Sequence, residues 1–134
     1  MSNIDLKAKR PLSPHLQIYK PIFTMMMSIV HRITGVALYL GTVLVVLWLL
    51  ALAGNPKSYD AVQWFFGSWI GRIILLGYTW ALLHHMLGGL RHFIWDFGHG
   101  LEKGSRDWLA KATLVGSIAL TIVVWVIAYA VRGL

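Results

Sequence analysis

Three long blocks without Asp, Glu, Lys or Arg constrain the fold of this chain more than any other feature. They occupy residues 33–53, 73–90 and 112–131 of the 134-residue sequence. A helix needs about 20 apolar residues to cross the ~30 Å hydrocarbon core of a bilayer. Charged residues make up 13% of the chain, whereas soluble domains carry about 25%. The sequence therefore predicts an all-α membrane protein with three transmembrane helices.

The block boundaries predict how the chain is organised. We expect residues 1–134 to form a single membrane domain, in which residues 1–30 are a cytoplasmic N-terminal segment that leads into the first helix. The sequence Gly54-Asn55-Pro56 ends the first block with typical helix-stop residues. We predict spans at about 31–54, 68–95 and 109–132. Little chain remains outside them, so we expect a subunit that is not catalytic alone.

The net charge of +7 is explained by membrane orientation. The basic residues lie at the ends of apolar blocks, so we predict a lipid bilayer as partner and no nucleic acid. Cationic residues concentrate in the N-terminal segment and the second loop: Lys7, Lys9, Arg10, Lys20, Arg91, Lys103, Arg106 and Lys111. The positive-inside rule then places the N-terminus in the cytoplasm and the C-terminus outside. The first ten residues resemble neither a signal nor a transit peptide. We therefore expect a bacterial inner membrane, with the mitochondrial inner membrane as the alternative.

Two adjacent histidines lie deep in the second block, where an ionisable side chain indicates a functional site. Counting from His85, Gly89 falls at i+4 and His92 at i+7, which places them on one helical face. Gly88 borders that face, and two small residues beside an imidazole would let a flat macrocycle approach the backbone. Because the sequence contains no cysteine, a haem held here would be bound non-covalently, with histidine as its ligand. Spacing leaves open whether His84 or His85 is that ligand, and we expect the other to pack against a neighbouring helix.

A second polar patch marks the cytoplasmic entrance of the first block. Ser28, His31 and Arg32 stand at i, i+3 and i+4 and therefore share one helical face. Arg32 alone would be an ordinary interfacial anchor. As part of a patch, its guanidinium suits a haem propionate, and the hydroxyl of Ser28 suits a quinone carbonyl. On the predicted orientation this patch and the paired histidines meet in the cytoplasmic half of the membrane.

Three sequence segments together resemble the cytochrome b subunit of succinate dehydrogenase, which is respiratory complex II. They are Arg10-Pro11-Leu12-Ser13-Pro14-His15-Leu16, Ser28-Ile29-Val30-His31-Arg32-Ile33-Thr34-Gly35, and His85-x-x-x-Gly89-Leu90-Arg91-His92 followed by Asp96-Phe97-Gly98. The likeness runs in order from Arg10 through the third block. It implies a membrane-anchor subunit in a heteromeric helix bundle around haem b. The implied partners are a second anchor subunit that supplies the other haem ligand, an iron–sulfur subunit and a flavoprotein subunit.

The resemblance also assigns roles to individual residues. It implies that His85 is the axial ligand of the haem iron, which resolves the choice that spacing left open. The propionate contacts that it implies are His31, Arg32 and, with less specific support, His92. The quinone site that we predict from it, with ubiquinone as substrate, comprises Ser28, Arg32, Ile29 and Leu16.

Other functions fit parts of the same pattern. A fumarate reductase anchor would use related architecture in the opposite direction with menaquinone. A haem-free structural or transport subunit would use its histidines only to bond neighbouring helices. A cytochrome with both ligands in this chain would need His31 and His85 on one iron. We do not expect that arrangement, because the sequence places His31 at the interface and His85 more than a turn deeper.

Overall fold

A computed structural model describes residues 19–132 of the chain as four helices in sequence. They are α1 (Phe23–Ala53), α2 (Pro56–Gly67), α3 (Trp69–Asp96) and α4 (Lys103–Arg132). Within these residues α1, α3 and the Lys103–Val131 part of α4 are long and apolar enough to cross a membrane. No strand occurs in the same range. The prediction of an all-α protein with three membrane helices is confirmed.

The spanning helices are longer than the predicted spans at two of their ends. Helix α1 begins at Phe23, directly after the extended Ile22, so the end of the expected lead-in is already helical. Helix α4 begins at Lys103 instead of residue 109. Both extensions lie outside the charge-free blocks. A helix can include these residues although they are not needed to cross the hydrocarbon core. Charge patterns therefore locate a span better than they locate the ends of its helix.

The short helix α2 was not predicted from the sequence. We interpreted Gly54-Asn55-Pro56 only as a stop signal, yet the same residues also begin α2. The side chain of Asn55 caps α2 by accepting a hydrogen bond from the backbone N–H of Ser58, at 3.0 Å. Pro56 occupies the first turn, where its missing N–H costs nothing. An Asn-Pro pair is a helix-start signal, and we missed it.

Helix α3 is the centre of the bundle, because it packs against both α1 and α4. The described core is unusually polar: Thr34, His84, Arg91, Thr113, Ser117 and Thr121 are buried. Long aliphatic side chains instead cover the outside, as Leu40 (61% exposed) and Ile122 (58% exposed) illustrate. An apolar surface around a polar interior is suited to lipid, because lipid supplies no hydrogen bonds and polar groups must find partners inside.

A tight turn folds α4 back along α3. Gly98 and Gly100 adopt the positive φ angles of 76° and 70° that favour glycine. The indole N–H of Trp95 donates to the carbonyl of Gly100 across this turn at 3.2 Å. The turn places the first part of α4 beside the last part of α3, and these two segments flank the histidines described next.

Candidate functional site

Two contacts between a histidine and a glycine join α1 to α3. The ring of His85 on α3 lies over Gly35 of α1, where an added Cβ would stand 3.0 Å from the ring Cε1. The ring of His31 on α1 lies over Gly88 of α3 so closely that a Cβ there would collide with it. Each helix thus places an imidazole in the space that a glycine leaves on the other. The two rings stack on each other, with centroids 4.0 Å apart and planes within 6° of parallel.

Hydrogen bonds fix the proton position on His85. Its Nδ1 lies 3.0 Å from the backbone carbonyl of His31, which can only accept, so Nδ1 carries the hydrogen. The hydroxyl of Thr34 donates to the same carbonyl at 2.9 Å. Its oxygen also lies 3.4 Å from Nδ1 of His85, where it can accept a second, longer hydrogen bond. Nε2 of His85 is therefore left with a free lone pair. This arrangement, with one ring nitrogen held by a carbonyl, is typical of histidines that bind metals.

His84 faces the opposite way and contacts α4. Its Nδ1 lies 3.2 Å from the hydroxyl of Ser117, which donates its own hydrogen to the carbonyl of Leu114 at 2.8 Å. Ser117 therefore accepts a hydrogen bond from His84. Both His84 and Ser117 are completely buried, and Nε2 of His84 has no hydrogen-bond partner among the described residues. Both adjacent histidines thus contact a neighbouring helix, His84 on α4 and His85 on α1.

The structure corrects two steps of the sequence argument. We placed His31 more than a turn away from His85, whereas their rings are in contact, because neighbouring antiparallel helices bring those levels together. Because the two rings stack face to face, they could not hold one metal ion between them. We also expected Gly88 to make room for a macrocycle. The ring of His31 occupies the space beside Gly88, so of these two glycines only Gly89 borders open space.

His92, Trp95 and Arg91 form the end of the site nearest the α3–α4 turn. His92 is exposed, and its ring centroid lies 5.4 Å from that of His31 and 5.1 Å from that of Trp95. Arg91 is only 3% exposed, and its guanidinium stands 5.1 Å above the indole of Trp95. From the sequence we expected Arg91 to be a surface charge that helps to orient the chain. Its spacing of seven residues from His84 is the signal that could have placed it in the core.

The predicted quinone residues occupy the first turns of α1. Ser28 is half-buried, Arg32 is exposed, and Ile29 is 49% exposed. Within residues 19–132 the structure gives neither Ser28 nor Arg32 a side-chain hydrogen bond or a carboxylate partner. Leu16, the fourth predicted residue, lies outside the described residues. Ser28, His31 and Arg32 belong to two successive turns of α1, as their spacing predicted.

The arrangement offers two chemical functions at one end of the bundle. His85 presents a ring nitrogen with a free lone pair beside the open surface at Gly89. Arg32 and Ser28 present a cation and a hydroxyl on the exposed side of α1. In the described part of the chain, no three His, Asp or Glu side chains converge on a common metal position.

These features define a class: helical membrane proteins with three spans and an imidazole pair at one end of the bundle. The chain belongs to the succinate dehydrogenase/fumarate reductase transmembrane subunit family, whose model matches residues 7–124. It is 41% identical over 121 residues to the succinate dehydrogenase cytochrome b556 subunit of Paracoccus denitrificans, covering 90% of this chain and 93% of that one.

Further relatives carry the same description. The corresponding subunit of Rickettsia typhi is 37% identical over 122 residues, which cover 91% of this chain and 95% of that one. The mitochondrial cytochrome b560 subunit of Sus scrofa is 42% identical over 101 residues, 74% of this chain and 60% of the pig protein. The predicted resemblance is confirmed, and an inner-membrane location fits both groups of relatives.

Proposed function

We propose that this chain is a membrane-anchor subunit of a succinate:quinone oxidoreductase, binds haem b together with a partner anchor subunit, and contributes to the ubiquinone site. The family membership and the names of its relatives support the anchor role. The other proposed partners are the iron–sulfur and flavoprotein subunits. We also propose that residues 1–134 act as one membrane domain whose N-terminus is cytoplasmic.

The contrast between the adjacent histidines carries the haem proposal. His85 is half-buried, and its Nδ1–H is held by a carbonyl, so Nε2 is free to bind iron. His84 is completely buried, so no macrocycle can reach its Nε2 without separating α3 from α4. Because the ring of His31 is stacked on that of His85, the two cannot enclose one iron, and we expect the second ligand to come from the partner subunit. Gly89 leaves open space next to the proposed ligand, which a flat ring system requires.

Bound haem would supply a one-electron redox centre, and the protein would supply its ligand and charge environment. His31, Arg32 and His92 are the proposed contacts of the haem propionates. His31 and His92 lie side by side, with ring centroids 5.4 Å apart, at the same end of the bundle. The carbonyl of His31 also orients His85, so we expect changes at His31 to affect the ligand as well as the propionates.

Reduction of a quinone is favoured by hydrogen-bond donors and a positive charge beside its carbonyl oxygens. Succinate oxidation on a partner subunit releases two electrons and two protons, and ubiquinone takes up the same number to become ubiquinol. We propose that Ser28 donates a hydrogen bond to a quinone carbonyl oxygen and that Arg32 stabilises the negative charge that develops there. Ile29 and Leu16 complete the proposed site as apolar contacts for the quinone ring.

Absorption spectroscopy tests the haem proposal. The purified complex should show b-type bands in the difference spectrum between dithionite-reduced and oxidised samples. His85→Ala should lose these bands while the subunit remains in the membrane, because the iron loses a protein ligand. His84→Gln, the matched control one residue away, should keep them. Retention of the bands in His85→Ala would show that another residue is the ligand, and their loss only in His84→Gln would assign that role to His84.

Two assays on one preparation test the quinone site. Ser28→Ala and Arg32→Ala should lower ubiquinone reduction at least about tenfold, the equivalent of ~1.4 kcal/mol, because a charge-assisted hydrogen bond contributes about that much. Succinate oxidation with a soluble artificial acceptor should not change. Thr42→Ala, an exposed hydroxyl on the same helix, is the control. Equal losses in both assays would show failed assembly instead of a quinone defect.

A further inference from the structure

A cavity of about 660 Å³ lies between the helices in the half of the bundle that is remote from His85. All four helices contribute to its wall. Most of that wall is aliphatic and aromatic, with Leu44 and Trp48 from α1, Leu75 from α3, and Val124 and Trp125 from α4. The volume lies within the range of about 300–1,000 Å³ that is typical of sites for small molecules.

One end of this cavity is polar and positively charged. Arg72 is half-buried in the first turn of α3 and is the only charged residue that the described part of the chain contributes to the cavity wall. Gln63 and Tyr59 of α2 add an amide and a phenol to the same wall. No carboxylate within residues 19–132 pairs with Arg72. The positive end of the α3 dipole adds to the attraction for an anion at this position.

The polar end lies at the level of lipid headgroups. Trp64 at the end of α2 and Trp69 at the start of α3 are 78% and 81% exposed, as expected of interfacial tryptophans. Arg72 follows Trp69 by less than one helical turn. The aliphatic wall extends from there toward the hydrocarbon interior, to Gly41 on α1 and Thr79 on α3. The cavity is thus charged where headgroups lie and apolar where acyl chains lie.

We propose that this cavity binds one acyl chain of an anionic phospholipid from the adjacent leaflet, with its phosphate beside Arg72. A chain that is apolar along its length and negatively charged at one end matches both parts of the wall. The proposal is independent of the haem and quinone assignments, because it uses none of their residues and lies at the opposite end of the bundle.

Lipid retention measures the role of Arg72. The complex, with its co-purifying subunits, is placed in nanodiscs of equal phosphatidylglycerol and phosphatidylcholine, extracted gently, and analysed by native mass spectrometry. The unmodified complex should retain phosphatidylglycerol preferentially. Arg72→Gln should lower that preference about fivefold, the contribution of one cationic side chain at an anionic lipid surface. Lys57→Gln, which removes a charge from α2 outside the cavity wall, should not change it.

A second variant tests the cavity itself. Ala128→Trp fills the space from the α4 wall and should abolish retention of the bound phospholipid. Ala130→Trp, on the same helix but outside the cavity wall, is the size-matched control and should retain it. Equal retention in both variants, retention of ubiquinone in place of phospholipid, or an unchanged lipid preference in Arg72→Gln would each overturn the proposal. Arg72→Gln preserves the shape of the wall and decides the matter if Ala128→Trp does not assemble.

Discussion

The two ends of this helix bundle are built on opposite principles. At the histidine end, α1, α3 and α4 are in close contact, and hydrogen bonds of His84 and His85 cross between helices. At the other end the same three helices separate around a cavity of about 660 Å³. Polar side chains fill the interior of the first end, whereas aliphatic and aromatic side chains surround a void at the second.

The difference between the two ends shows that the fold fixes side-chain positions more firmly at the histidine end than at the cavity end. In a bilayer the hydrophobic effect does not drive helices together, so close packing of small residues and polar contacts must do so. The histidine end combines both, because Gly35 and Gly88 admit the two imidazole rings, a hydrogen bond to a carbonyl holds the ring of His85, and the ring of His31 stacks on it. A metal ligand needs that rigidity. A cavity for a flexible acyl chain does not need such rigidity, and the helices at the cavity end make fewer close contacts with one another.

The largest effect should come from Gly88→Ala. The new Cβ would collide with the ring of His31, which cannot retreat because it is stacked on His85. We expect the free energy of unfolding to fall by about 3 kcal/mol, as in other overpacked cores. Gly77→Ala on the same helix is the matched control: nothing lies within 4 Å of its Cβ position, so it should be neutral or slightly stabilising.

Cysteine labelling can measure these changes. The sequence contains no cysteine, so a single one at Thr113, which is 5% exposed, reacts only when the bundle opens. Labelling of this subunit at increasing denaturant concentration then reports the free energy of unfolding. If Gly88→Ala and Gly77→Ala open at the same denaturant concentration, the ring of His31 is not held tightly and the contrast between the two ends is wrong.

Ser117→Ala should have an intermediate effect. It removes the hydroxyl that accepts from His84 and leaves a buried N–H without a partner. We expect a loss of about 1 kcal/mol, the range for interhelical hydrogen bonds in membranes. Ser105→Ala, an exposed position of the same helix, should change nothing. In a His84→Phe background Ser117→Ala should cost much less, and an undiminished cost there would show that Ser117 stabilises α4 without His84.

Much of the fold was predictable from the sequence because a bilayer imposes simple rules. Charge-free blocks of about 20 residues locate spans, and all three were predicted. Helix α2 was missed because the Asn55-Pro56 pair both ends one helix and caps the next. The sequence also placed Ser28, His31 and Arg32 in successive turns of α1, since helical spacing alone determines that relation.

Contacts between helices were less predictable, because they depend on rotation and depth that sequence spacing does not define. The stacking of His31 on His85 and the burial of Arg91 both arise in this way. The polar partner of His84 on α4 has the same origin, since Ser117 is 33 residues away in sequence. The positions of glycines indicate where two helices can approach closely, but this can be used only when it is known which helix faces each glycine.

Gly41→Ala should have the smallest effect, although the local contact is similar. The Cβ would collide with the ring of Tyr78, much as a Cβ at Gly88 collides with His31. Tyr78, however, lines the cavity and can move its ring into empty space. We expect a change in unfolding free energy within about 0.5 kcal/mol of zero, because the strain is relieved and alanine favours helix over glycine. A cost equal to that of Gly88→Ala would mean that the cavity end is as rigid as the histidine end. Filling the cavity with Ala128→Trp should raise the cost of Gly41→Ala by removing the space into which Tyr78 moves.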